Sequence, residues 1–262
     1  MKPFFLVLAR DGRDVEEKGE ELDALGVPYI IVCGEPLPLP RVVYREPLGK
    51  YDAINFGAQF FGGAGIICLN DVDTKIHNFH KALKELQDDT VGLVYCRVVV
   101  EGGPQPRFYK LLDAIRARAH VAASGELMVL RREVFERVVP LPPCKAEDSY
   151  ILFRALELGY RAVFSRECFV TTMRTETLKE EAAYKRRTVG GIYQALSYAK
   201  PPPLIRFFYL LLPFVAPLLL VQGRTGYYWM KGIVEGAVNM IRREHGGIFE
   251  DKSFRDNHRY HH

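Results

Sequence analysis

Tryptophan occurs once in 262 residues, and cysteine and methionine only five times each. The cysteines (Cys33, Cys68, Cys96, Cys144, Cys168) are odd in number, widely spaced and never in a C-x-x-C pair. That argues against a structural zinc site and for reduced core thiols in a cytosolic domain. Charge of one sign is scarce too: the formal net charge is +4, too small by itself to argue for nucleic acid. No leader is expected ahead of the first strand-like run, residues 4–8. With 48% hydrophobic and 26% charged residues, disordered and collagen-like chains are excluded. The length suits one large domain or a domain with an appendage.

What is present opens as β-α-β. Residues 4–8 read as a strand, 14–25 as a charged amphipathic helix stopped by Gly26, and 29–32 as a second strand, an order that favours a mainly parallel sheet. Further strands are expected at 42–44, 66–69, 91–100, 123–132 and 162–164. Helices are expected at 51–61, 78–86, 106–119, 133–138, 150–158 and 177–196, with Gly159 closing the fifth of these. Two phosphate motifs are excluded. Gly62-Gly63-Ala64-Gly65 precedes a strand instead of opening a helix, and Gly49-Lys50 is followed by Tyr51 instead of Ser or Thr.

The chemistry gathers where the apolar run Ile66-Ile67-Cys68-Leu69 meets Asn70-Asp71-Val72-Asp73. Extended residues i and i+2 share a side, so Asp71 and Asp73 can aim oxygens at one point beyond the strand. Such oxygens suit a hard divalent cation, Mg²⁺ or Mn²⁺, with phosphate oxygens completing its shell. A solvated turn is the plain alternative for that pair taken alone. A second acidic centre, Glu147-Asp148, stands at the start of a helix whose dipole favours ionised Asp148, the form a general base needs. An N-cap is its plain alternative. Tyr184, Lys185, Arg186 and Arg187 form a basic stretch, either a solvated face or a cation clamp for a departing diphosphate.

The order of these motifs resembles family 2 glycosyltransferases over roughly residues 4–196. Gly49-Lys50-Tyr51-Asp52-Ala53-Ile54-Asn55 is similar to their GK-x-x-A-x-N segment, and Asp71-Val72-Asp73 to their metal-binding D-x-D. Gly125 through Arg131-Arg132 is similar to their G-x5-R-R strand, and Glu147-Asp148 to their E-D motif, whose Asp is the catalytic base. The cellulose-synthase-like, polyprenyl-phosphate-directed branch is the nearest fit. Tyr184-x-x-Arg187-Thr188 stands where that branch carries Q-x-x-R-W, and the replaced Gln and Trp speak against processive polymerisation. The resemblance implies a GT-A fold with a mainly parallel sheet, helices on both faces, and inverting transfer from a nucleotide-diphosphate sugar. It implies Asp71 and Asp73 as metal ligands and Asp148 as base. Donor contacts would come from Lys50, Asp52 and Arg187, with Asp11 and Glu35 as nucleoside candidates. Ser124, Gly125, Glu147, Tyr184 and Arg186 would line the acceptor or diphosphate side.

Residues 207–221 are uncharged and broken only by Pro213 and Pro217, and 227–241 are apolar apart from Lys231 and Glu235, which can pair at i,i+4. Tyr227, Tyr228 and Trp229 make an aromatic interface cluster, and Lys200, Arg206, Arg242 and Arg243 put basic charge at both ends. The expectation is a transferase domain at 1–200, a membrane hairpin or pair of interfacial helices at 201–243, and a polar tail at 244–262. The catalytic domain would lie on the cytoplasmic side of a cell membrane. The partners then expected are a nucleotide sugar (GDP-mannose favoured over UDP-sugars by family habit), a polyprenyl-phosphate or lipid-linked glycan acceptor, and a membrane. A UDP-sugar-dependent polysaccharide synthase-like transferase is the alternative transferase reading. A sugar-phosphate nucleotidyltransferase and an inactive membrane scaffold are the competing readings from other classes.

Overall fold

The computed structural model describes residues 2–102, 106–173 and 177–245. Its first half follows the β-α-β pattern: β1 (Pro3–Ala9), α1 (Val15–Ala24), β2 (Tyr29–Cys33), β3 (Val42–Tyr44), α2 (Lys50–Gly57), β4 (Ile66–Asp71) and β5 (Thr74–His77). Then come α3 (Phe79–Glu85), β6 (Val91–Glu101), α4 (Pro106–Arg116), β7 (Leu127–Arg131), α5 (Arg132–Val138), α6 (Glu147–Glu157) and β8 (Arg161–Met173). The described residues end in α7 (Leu178–Tyr198), α8 (Pro203–Val215), a 3-10 segment (Ala216–Gln222) and α9 (Gly223–His245). Of the expected polar tail, residues 246–262 lie outside the described residues.

The strands form one eight-stranded sheet in the order β3-β2-β1-β4-β7-β6-β8-β5. β1, β2, β3 and β4 run parallel, β7 runs antiparallel to both of its neighbours, and β6 and β8 are again parallel. Because β4 is flanked on both sides, its Ile66 to Asn70 stretch is buried throughout, as expected of an unbroken apolar run. One core lies under α2, α5, α6, α7 and α8, and a second on the opposite face under α1 and α3.

One strand was not expected, and two expected strands have other bounds. Residues 74–77 form β5, a strand that pairs antiparallel to β8 directly after the acidic pair. β8 continues to Met173, well past residue 164, because a bulge opposite Cys96 and Arg97 carries its register from Ser165 to Phe169. Such a bulge hides the alternation that marks a strand in sequence. The strand expected from 123 begins only at Leu127.

At the C-terminus, α8 sends Ile205 and Tyr209 into the first core. α9 lies along α7, with Gly232 and Gly236 against Ala182, Arg186 and Gly190. Trp229, Ile233 and Ala237 of α9 are buried, and Arg186 and Lys231 both reach Glu235, at 3.7 and 3.9 Å. Among the described residues one helical stretch, Pro203–Asn239, is long and apolar enough to cross a membrane, and only 17% of its most apolar window is buried in the protein.

Candidate active site

Three elements converge beyond the C-terminal end of β4. The strand delivers Asp71, which stands in register with Leu8 of β1. Helix α2 begins at Lys50, directly after Gly49, whose φ of +126° suits glycine. Helix α6 begins at Glu147 and Asp148. A lysine in the first turn of a helix opposes the helix dipole, so another partner must hold Lys50. That partner is Asp71: the ammonium lies 2.6 Å from its Oδ1 and 2.7 Å from its Oδ2, and 3.5 Å from Glu147 Oε1. Lys50 therefore ties the D-x-D strand to the E-D helix.

The electrostatics follow from packing one ammonium among several carboxylates. Burial works against the Lys50 ammonium, but Asp71, Glu147 and Asp148 outweigh it, so its affinity for its proton rises above the ordinary lysine range. Burial pushes the Glu147 carboxyl up to about 7, with Lys50 pulling it down and Asp148 pushing it further up. Asp148 is also raised, first by burial, while the Ser149 amide, which donates to its Oδ1 at 2.6 Å, and then Lys50 and Arg116 oppose the shift. Asp73 is raised by burial and then by the charge of Asp71.

Two glycines set the approach. A Cβ on Gly125 would lie 3.1 Å from the Cβ of Asp148, and one on Gly191 would lie 2.8 Å from the Ala146 amide nitrogen. Gly125 thus brings the β7 lead-in against Asp148, and Gly191 brings α7 against the start of α6. Ser124 donates to the Cys96 carbonyl. Arg187 sits one helical turn before Gly191; it is exposed, with its guanidinium 5.5 Å from the Tyr184 ring.

Other expected site residues have partners of their own. Asp11 and Glu35 occupy the adjoining loops after β1 and β2. Asp11 is paired with Arg13 at 2.7 Å, which holds its carboxyl below the usual range, and Glu35 accepts from the Gly12 amide at 2.9 Å. Asp52 turns to Arg45, taking two hydrogen bonds at 2.7 and 2.9 Å. Arg186 and Tyr184 lie on α7, where Arg186 reaches α9. Among the described residues no group of three or more His, Cys, Asp or Glu is arranged to hold a metal by itself.

Sequence reasoning missed several supports. Lys18 of α1 is 2% exposed; it pairs with Glu21 at 2.6 Å and donates to the Thr74 carbonyl. Burial pushes its ammonium below the ordinary range, with Glu21 and then Asp71 and Asp73 pulling back. Its one sequence signal is position: Lys18 shares the inward stripe of Val15 and Leu22. Arg116 donates to the Ala122 and Ala123 carbonyls at 3.2 and 3.0 Å, and Tyr209 to the Val121 carbonyl at 2.7 Å. Three successive carbonyls leading into Ser124-Gly125 are thereby held.

No protein-family model and no curated protein sequence matches the chain. Solved structures do resemble it. The mannosyltransferase PcManGT from Pyrobaculum calidifontis, in complex with GDP-Man and Mn²⁺, superposes with a TM-score of 0.69 at 18% identity, covering 91% of this chain and 86% of its own. GalNAc-T7 with UDP, GalNAc and Mn²⁺ gives 0.55 at 12% identity, covering 90% of this chain and 55% of that one. At such identities the likeness is one of fold, and the fold is the mixed α/β GT-A fold with a curled, mostly parallel sheet.

Proposed function

We propose that the chain is a metal-dependent, inverting glycosyltransferase that moves a sugar from a nucleotide-diphosphate donor to a lipid-borne acceptor at a membrane surface. The observation that carries this reading is one lysine, Lys50, held between Asp71 at the end of β4 and Glu147 at the start of α6, where Asp148 is the next residue.

A divalent cation fits the residues present. The Lys50 ammonium already stands against both oxygens of Asp71, so cationic charge is accepted there, and Asp73, two residues on, is exposed to solvent. Two carboxylates make an incomplete shell for Mn²⁺ or Mg²⁺, which leaves room for diphosphate oxygens and water. When bound, the ion supplies charge that stabilises the departing nucleoside diphosphate. Asp71 and Asp73 hold it, and Lys50 sets Asp71. Asp148 takes the proton of an attacking hydroxyl; its burial raises its basicity, and the α6 N-terminus keeps it ionised. For a lipid phosphate, already anionic, the same carboxylate orients more than it deprotonates. Arg187, exposed on the α7 face that carries Gly191, is the proposed cation for the diphosphate, with Arg186 and Tyr184 beside it. Asp11 and Glu35, on the loops after β1 and β2, are the proposed nucleoside contacts.

The lipid acceptor is supported by α8 and the 3-10 segment after it. Their inner residues enter the core while Leu204, Phe207, Leu210, Phe214, Leu218 and Val221 stay exposed. α9 is docked on α7, so the reading is a helix lying in one leaflet, with Lys200, Arg206 and Arg224 able to meet anionic headgroups on the cytoplasmic side. GDP-mannose is the favoured donor because the similar mannosyltransferase structure holds it. The test is transfer of labelled mannose from GDP-mannose to a polyprenyl phosphate in mixed micelles with and without Mn²⁺. Metal-dependent product that disappears in Asp73→Ala supports the reading. Equal turnover without metal overturns the metal dependence, and no turnover with any nucleotide sugar overturns the reading in favour of an inactive scaffold.

A further inference from the structure

The turn that carries the two metal-site aspartates is held from beneath by a network anchored in α1. Lys18 Nζ donates to the carbonyl of Thr74, the residue immediately after Asp73, and pairs with Glu21 Oε2 at 2.6 Å. The other oxygen of Glu21 accepts the amide of Ile76 at 2.6 Å. From the opposite side, Thr74 Oγ1 donates to the Asp71 carbonyl at 2.8 Å, and Asn70 Nδ2 donates to Thr74 Oγ1 at 2.9 Å and to the Glu126 carbonyl at 2.6 Å. The Val72 amide is tied to the Leu8 carbonyl at 3.1 Å.

Burying a lysine costs free energy unless all it touches is polar and well placed. An apolar residue between Val15 and Leu22 would pack α1 onto the sheet without that cost. Lys18 is therefore expensive as a packing residue, and its head group ends on the one turn where backbone position decides the spacing of two carboxylates. We infer that Lys18, with Glu21, is a positioning residue that presets the separation of Asp71 and Asp73 and so sets the affinity of the site for its divalent ion. The inference rests on the metal-site reading above, and it assigns a role that neither aspartate can perform for itself.

The test compares the full chain with Lys18→Met, which keeps most of the side-chain volume and removes the charge, and with Glu21→Gln, which keeps an acceptor for Ile76. Free Mn²⁺ is counted by electron paramagnetic resonance with Mn²⁺ alone and with GDP, alongside amide hydrogen exchange and the melting temperature. Lys18→Met is expected to weaken Mn²⁺ binding at least tenfold and to speed exchange at residues 72–76, with much of kcat recovered at saturating Mn²⁺. Glu21→Gln should weaken binding less. If Mn²⁺ affinity and exchange in the turn are unchanged while the melting temperature falls, Lys18 only stabilises the fold and the inference is wrong. If Lys18→Met fails to fold, Glu21→Gln decides in the same way. A wild-type chain that binds no Mn²⁺ overturns the metal-site reading and the affinity claim with it, while exchange still reports whether Lys18 holds the turn.

Discussion

At the end of β4, Glu147 is a buried charge paired with the half-buried Lys50; on α8 and the segment after it, Phe214 is 78% exposed and Val221 85%. The first region places polar groups where apolar ones are cheaper, and the second places apolar groups where polar ones are. Each departure costs stability unless something outside the chain offsets it. For the acidic cluster the compensation is internal, with Lys50 against Asp71 and Glu147. For α8 it is incomplete along the whole outer face. The two regions also touch through one side chain: Tyr209, on the inner face of α8, donates to the Val121 carbonyl in the loop that leads to Gly125 and Asp148.

Substitutions can break or sharpen this contrast. The largest effect is expected from Asp148→Asn, which keeps the shape of the cluster and removes the base. Initial rates of transfer to a hydroxyl acceptor should fall about 10²- to 10⁴-fold with little change in Mn²⁺ binding. If the rate is retained, Asp148 serves only the helix.

The next effect is on stability. Glu147 is held at about 7 against an ordinary 4.5. Below both values native and unfolded chains carry the same proton, and nothing is lost. As pH rises through that window the unfolded state releases its proton first, so this group makes the fold less stable by up to about 3 kcal/mol. Glu147→Gln should flatten that fall when unfolding is measured by denaturant across the window. A slope equal to that of the wild type would place the titration elsewhere.

A smaller effect tests the exposed side of the comparison. Phe207→Glu combined with Phe214→Glu should reduce partition onto anionic vesicles by about tenfold or more, while hydrolysis of the nucleotide sugar stays unchanged. Unchanged flotation would remove α8 as a lipid-facing helix. The smallest is Tyr209→Phe, which deletes one buried hydrogen bond and should cost about 1 kcal/mol in denaturant unfolding. A larger loss in transfer than in stability would make Tyr209 a link between the two regions.

Much of this was legible in the chain. The apolar run ending in Asp71-Val72-Asp73 forms a central buried strand, and Glu147-Asp148 opens a helix closed at Gly159. β5 was not legible, because Thr74-Lys75-Ile76-His77 is short and becomes a strand only by pairing with β8. The Arg45 partner of Asp52 and the Arg13 partner of Asp11 were also out of reach. Each depends on how a loop bends, and neither follows from residue type.

Local sequence decided where strands end, where helices begin and which residue types stand at those ends, because periodicity and turn chemistry act over a few residues. Only the tertiary structure decided that Lys50, Asp71 and Glu147, up to 97 positions apart in number, share one point, and that Lys18 lies under the acidic turn. Contacts of that kind are made by the sheet order and by the way α1, α2 and α6 pack on its two faces, and no short stretch of sequence contains that information.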